Sequence, residues 1–153
     1  MKNGKLAILI ILVAAFIGYT IFAVQRDKDE ALLERTQPIP LGNGIELVEM
    51  HKHGTVYHRT GYEAKISIPH ENPEAVVQYL AEMYGFEGQF MAYTDYVVFC
   101  DKIFQGTPFI KPKVEQGTTV WVQGAGEDKG ASVVNIIVSE DPEHAYLYVY
   151  YSA

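Results

Sequence analysis

Residues 6–24 read LAILIILVAAFIGYTIFAV, nineteen positions without a charge. At about 1.5 Å of rise per residue, a helix of that length spans roughly 28 Å, close to the ~30 Å hydrocarbon core of a bilayer. The stretch predicts one membrane-spanning helix and leaves the remaining residues to build whatever else the chain does. Lys2 and Lys5 precede it, and the mixed sequence QRDKDE follows. A cationic excess on the N-terminal flank favours a cytoplasmic N-terminus and an exported C-terminus, although Arg26 and Lys28 pull the other way.

A cleaved signal peptide is the competing assignment. Its apolar region is usually only about 7–15 residues, and Ile21-Phe22-Ala23 makes a poor cleavage site. No cysteine sits just after the apolar run, so a lipoprotein anchor does not fit. The expected organisation is a cytoplasmic segment 1–5, a membrane helix 6–24, a stalk 25–44 and an extracytoplasmic domain 45–153. Ala14 and Gly18 form a small-xxx-small pair that lets a second helix approach, against the plainer reading of an anchor facing lipid.

Charge narrows the partners. Setting aside Lys2 and Lys5 leaves 10 of the 12 cationic residues against 19 acidic ones, a formal −9 for the exported part. An acidic domain without a basic stripe repels phosphate backbones, which argues against nucleic acid. Cys100 is the single cysteine, so the chain forms no internal disulfide and no all-cysteine zinc site.

In the stalk, residues 25–36 are rich in helix formers and extend the membrane helix until Pro38 and Pro40 end it. Gly42-Asn43-Gly44 is a turn, 45–50 a strand, 51–54 a second turn, and a further strand runs to Ile68. In that strand Tyr62, Ala64, Ile66 and Ile68 alternate with Glu63, Lys65 and Ser67, the mark of a sheet with one covered face. The covering helix starts with Asn72 as cap, Pro73 in the first position and Glu74 at the positive end. Val76, Val77, Leu80, Met83 and Tyr84 form its apolar stripe, and Gly85 stops it. Residues 89–100 read as strand, with a candidate break near Thr94-Asp95, 101–116 as a surface loop, and 118–123, 131–139 and 145–151 as closing strands, with GAGEDKG as a hairpin loop. The expected fold class is α+β: an antiparallel sheet covered by one main helix.

This pattern resembles small bacterial extracytoplasmic α+β domains tethered by a membrane helix or lipid. The likeness rests on the proline-rich start at Pro38 and Pro40, the strand pair, the helix NPEAVVQYL ending near Gly85-Phe86, and the terminal meander, over about residues 38–150. It implies a fold and a setting; it implies no activity and no cofactor.

Chemistry-bearing clusters are few. His51 and His53, with His58 nearby, are the metal candidates, since residues i and i+2 of a strand share a side. The plainer reading is exposed histidines at a hairpin end. Cys100 sits in the apolar run Tyr96 to Cys100, where a thiol behaves as a small hydrophobe. The glycines of GAGED lack the following helix of a phosphate loop and carry Glu127 and Asp128. No catalytic residue is assigned.

Tyr146, Tyr148 and Tyr150 share one side of the last strand, as cross-strand packing or as a partner-contact patch. Phe104, Phe109 and Ile110 of the long loop are a second contact candidate. The expected function is a non-enzymatic accessory or scaffold subunit of a bacterial membrane complex, with the bilayer and other membrane subunits as partners. The alternative is a membrane-tethered module for a metal or small ligand.

Overall fold

The computed structural model describes residues 2–37, 39–54, 59–70, 72–85, 87–103, 110–116, 118, 120–128, 131–140 and 143–152. The chain divides into two compact units, Met1–Ile39 and Pro40–Ala153.

The first unit is one uninterrupted helix, α1 (Lys2–Thr36). Its stretch Ala7–Thr36 is long and apolar enough to cross a membrane, and none of the apolar window is buried against protein. The Thr20 hydroxyl donates to the Phe16 carbonyl at 2.9 Å, so it is satisfied within the helix. Beyond the apolar part the helix continues through residues 25–36, as the composition predicts. There Gln25 Nε2 donates to Asp29 Oδ1 at 2.8 Å, and Arg26 Nε pairs with Glu30 Oε1 at 2.6 Å, both one turn apart.

The second unit is an α+β fold around an open, fully antiparallel sheet. Its strands are β1 (Glu46–Gly54), β2 (Arg59–Ile68), β3 (Gln89–Met91), β4 (Val120–Asp128), β5 (Ala131–Ser139) and β6 (Ala145–Ser152), in the spatial order β1-β2-β6-β5-β4-β3. Helix α2 (Pro73–Tyr84) carries the chain from β2 to the far edge at β3. Helix α3 (Tyr93–Ile103) follows, and β4, β5 and β6 return strand by strand until β6 closes against β2.

Local chemistry explains α2. Asn72 is extended (φ −151°, ψ 152°), its side chain accepts from the Ala75 N–H, Pro73 opens the helix, and Gly85 ends it at φ 68° with its N–H on the Ala81 carbonyl. Val76 and Leu80 are buried on the side facing β4 and β5, but Met83 is exposed, so the covering stripe is narrower than the sequence pattern predicts. The side chain of Tyr84 lies outside the described residues.

The alternation in β2 also holds, since Tyr62, Ala64, Ile66 and Ile68 are all buried. They pair in register with Tyr151, Val149, Leu147 and Ala145 of β6. Glu63, Lys65 and Ser67 stand opposite Tyr150, Tyr148 and Tyr146 on the other face.

The α+β expectation holds, and on that other face a second helix, α3, joins the cover. Val120, Val122, Val134, Ile136, Val138, Tyr148 and Tyr150 form one core cluster with Tyr96 of α3 and with Ile110; Phe99, Cys100 and Val114 pack against it. Both faces of the sheet are therefore core.

Three element assignments change with it. Residues 93–100 are helix rather than strand, and 101–103 helix rather than loop: Tyr96 is buried and Phe99 and Cys100 half-buried, while Val98 is 67 % exposed, a helical rather than a two-residue period. Residues 51–54 belong to β1, not to a turn. Gly124 to Asp128 lie within β4, with a break in pairing register between Gln123 and Gly126, not in a hairpin loop.

Gly61 sits in close contact with β6, since a Cβ added there would collide with the Tyr151 carbonyl oxygen, part of the backbone. Gly61→Ala is expected to lower the thermal stability of the full chain in detergent by well over the ~1 kcal/mol of an average point change. An unchanged melting curve would contradict the close β2–β6 approach.

Candidate functional site

The polar residues of the fold gather on the α3 face, where β2 and β6 present Glu63, Lys65, Tyr148 and Tyr150. Glu63 is 7 % exposed. Its Oε2 accepts from the Ile110 N–H at 2.8 Å, and its Oε1 lies 3.1 Å from His53 Nε2. The Tyr150 hydroxyl donates to the Ile110 carbonyl at 2.8 Å, so both backbone groups of Ile110 are held by the sheet.

A few residues away Glu140 forms a second knot. Its Oε2 accepts from Lys65 Nζ at 2.6 Å, and its Oε1 accepts from the Lys113 N–H at 2.9 Å and from the Tyr148 hydroxyl. Lys65 Nζ also sits 4.0 Å above the Tyr146 ring, a cation–π contact. Segment 110–113 is thus tied to the sheet at both ends by buried carboxylates.

Electrostatics follow from this packing. Burial works against the charged form of Glu140, but the hydrogen bonds from the Lys113 N–H, Lys65 and Tyr148 outweigh it and hold the carboxyl below its ordinary value. Burial pushes the Tyr148 hydroxyl far up, and the Glu140 carboxylate pushes it further, so it stays a proton donor. Burial raises Tyr150 likewise, with the Glu63 charge adding to it. Burial and a hydrogen bond with Cys100 raise Tyr96.

These contacts decide the fate of the sequence candidates. Tyr148 and Tyr150 are 1 % and 8 % exposed, which corrects their assignment as partner contacts: their rings fill the core and their hydroxyls bond internally. Tyr146 is half-buried beneath Lys65. Ile110 is buried and clamped, so it too is core rather than contact surface. Phe104, Phe109 and His58 lie outside the described residues. Ala14 and Gly18 sit one turn apart on α1, and a side chain added at Gly18 would meet nothing within 4 Å.

His51 and His53 do share one side of β1, although each ring is turned to a different carboxylate, His51 Nε2 to Glu49 Oε1 at 2.8 Å and His53 to Glu63. Among the described residues, no three metal-ligating side chains converge on one point.

Sequence reasoning missed Glu63, Lys65 and Glu140 because a polar residue alternating with apolar ones reads as a solvent face. Asn135 was also missed; it is buried in β5, donates to Gln123 Oε1 at 2.7 Å and leaves its own Oδ1 without a partner among the described residues. Its only signal is a lone amide inside VVNIIV. No family model, no curated protein and no solved structure matches the chain.

Because the folded state lowers the Glu140 pKa, its stabilising contribution is complete above the ordinary glutamate value and is lost as pH falls through the lowered folded value. Glu140→Gln is expected to cost on the order of 1–3 kcal/mol near neutral pH, because it leaves the half-buried Lys65 without its ion pair. It should also flatten the loss of stability in acid. Melting curves of both forms between pH 3 and pH 7 (roughly the window of carboxylate titration) test this, and parallel acid profiles would contradict it.

Proposed function

We propose that the chain is a membrane-anchored, non-enzymatic accessory or scaffold subunit of a bacterial membrane complex. Its N-terminus lies in the cytoplasm and its α+β domain outside. The single observation that carries the proposal is α1, whose apolar stretch has no protein cover while the domain buries both faces of its own sheet. A helix of this kind needs lipid or another helix, whereas the domain needs nothing more for its core.

The lateral contact would run along the Ala14 and Gly18 side of α1, where close approach is open. With Tyr148, Tyr150 and Ile110 in the core, the contact outside the membrane passes instead to exposed apolar side chains such as Val97 and Val98 of α3. The acidic balance keeps such a domain off an anionic lipid surface and leaves it facing protein.

Mild-detergent extraction of the native protein, with sizing and mass spectrometry of what co-migrates, tests the proposal. A defined assembly retaining the uncleaved N-terminus is the expected result, and Gly18→Leu should release the chain from it without altering the domain's melting. A solitary anchored monomer, or a chain that begins after Ala23, would overturn the proposal.

A further inference from the structure

Segment 110–113 is attached to the sheet through side chains. The Ile110 N–H donates to Glu63 Oε2, the Ile110 carbonyl accepts from the Tyr150 hydroxyl, and the Lys113 N–H donates to Glu140 Oε1. Pro112 has no N–H to give. Among the described residues, no backbone-to-backbone hydrogen bond involves this segment. The six strands are held by ladders that do not titrate, whereas two of the three side chains holding 110–113 are carboxylates.

Packing adds little to that hold. Of residues 110–116 only Ile110 is buried; Pro112 and Val114 are half-buried, and Lys111, Lys113, Glu115 and Gln116 are exposed. A stretch with so few buried apolar groups belongs to the part of a fold that opens most readily.

Glu140 is the end that responds to acid. The groups facing it are Lys65 of β2 at 2.6 Å, the Tyr148 hydroxyl of β6 and the Lys113 N–H, with Lys65 lying in turn against the Tyr146 ring. Burial disfavours its charge, and those three hydrogen bonds outweigh burial. Attachment is therefore complete above the ordinary glutamate value and weakens as pH falls through the lowered value of the attached form. At the other end Glu63 faces His53 and, in register, His51 of β1, together with Tyr150 of β6 and the Ile110 N–H.

We propose that residues 110–113 are an acid-released strap: when Glu140 takes a proton from solvent, the segment lifts at Lys113 and then at Ile110 while the sheet and α2 stay folded. Lifting Ile110 uncovers part of the cluster it shares with Tyr96, Val134 and Tyr150, so acid opens an apolar face that neutral pH keeps closed. The plainer reading is that the segment leaves only when the whole domain unfolds. What favours separate release is that protonating one carboxyl removes a hold on the strap and touches no rung of the sheet. The strap stands independently of the anchored-subunit proposal.

The test follows hydrogen exchange at single amides by NMR, on the full chain in mild detergent, corrected for the intrinsic pH dependence of exchange. The Lys113 N–H reports on Glu140, the Ile110 N–H on Glu63, and the Ile136 N–H of β5 on the sheet. Between neutral pH and about pH 3.5, just below the usual glutamate range, Lys113 should lose protection roughly tenfold or more, the effect of one hydrogen bond to a charged group. Ile136 should keep its protection over the same range. Glu140→Gln, which does not titrate, should flatten the pH dependence at Lys113. Loss of protection at Lys113 and Ile110 only together with Ile136 would overturn the proposal, a comparison that needs the native chain alone. Full native pH dependence at Lys113 in Glu140→Gln would overturn it as well.

Discussion

Burying both faces of a single sheet forces every ionisable group on the inner rows to find partners. An unpaired carboxylate away from water is far costlier than any hydrophobic contact it displaces. Glu63 and Glu140 meet that constraint by accepting from backbone N–H groups as well as from side chains. The segment that supplies those N–H groups, residues 110–113, is pinned to the sheet as a consequence. The same constraint takes up the hydroxyls of Tyr148 and Tyr150, which explains why a row of tyrosines in the last strand yields no contact patch.

What the sequence made legible was local. The uncharged run became a single helix, and Asn72, Pro73 and Gly85 bound α2 because capping depends on residues within one turn of each other. Residues 93–103 show where that logic stops. Tyr, Val, Phe and Cys favour strands when composition alone is weighed. Here burial of Tyr96, with Phe99 and Cys100 packed on the same cluster, rewards the helical period, and tertiary packing overrides propensity. In the same way Gly54, at φ 94°, looks like the centre of a turn but is the last residue of a strand held by its pairing with β2.

The candidate site was legible only in part for a related reason. The i, i+2 spacing of His51 and His53 sufficed to put both rings on one side of β1. Which carboxylate lies across from them depends on the β1–β2 register, and whether that carboxylate is buried depends on α3 and segment 110–114 on the same face. Lys65 and Glu140 are 75 residues apart in sequence. No periodicity announces such a pair, and a helix mistaken for a strand removes the layer that buries it. Reading 93–100 as strand and 101–103 as loop therefore also made Glu63 and Lys65 look solvated.

Edge strands are usually guarded against pairing with other chains by charge, by bulges or by brevity. β3 is short, with three residues, and β1 carries a register break between Leu47 and Glu49 together with Glu46, Glu49, Lys52 and two histidines. Guarding an edge requires only polarity. It does not require that two of those side chains share a face with a buried carboxylate, nor that a glycine stand opposite one of them. Those additional features follow from the β1–β2 register, because Gly61, opposite His53, puts no side chain between the His53 ring and Glu63.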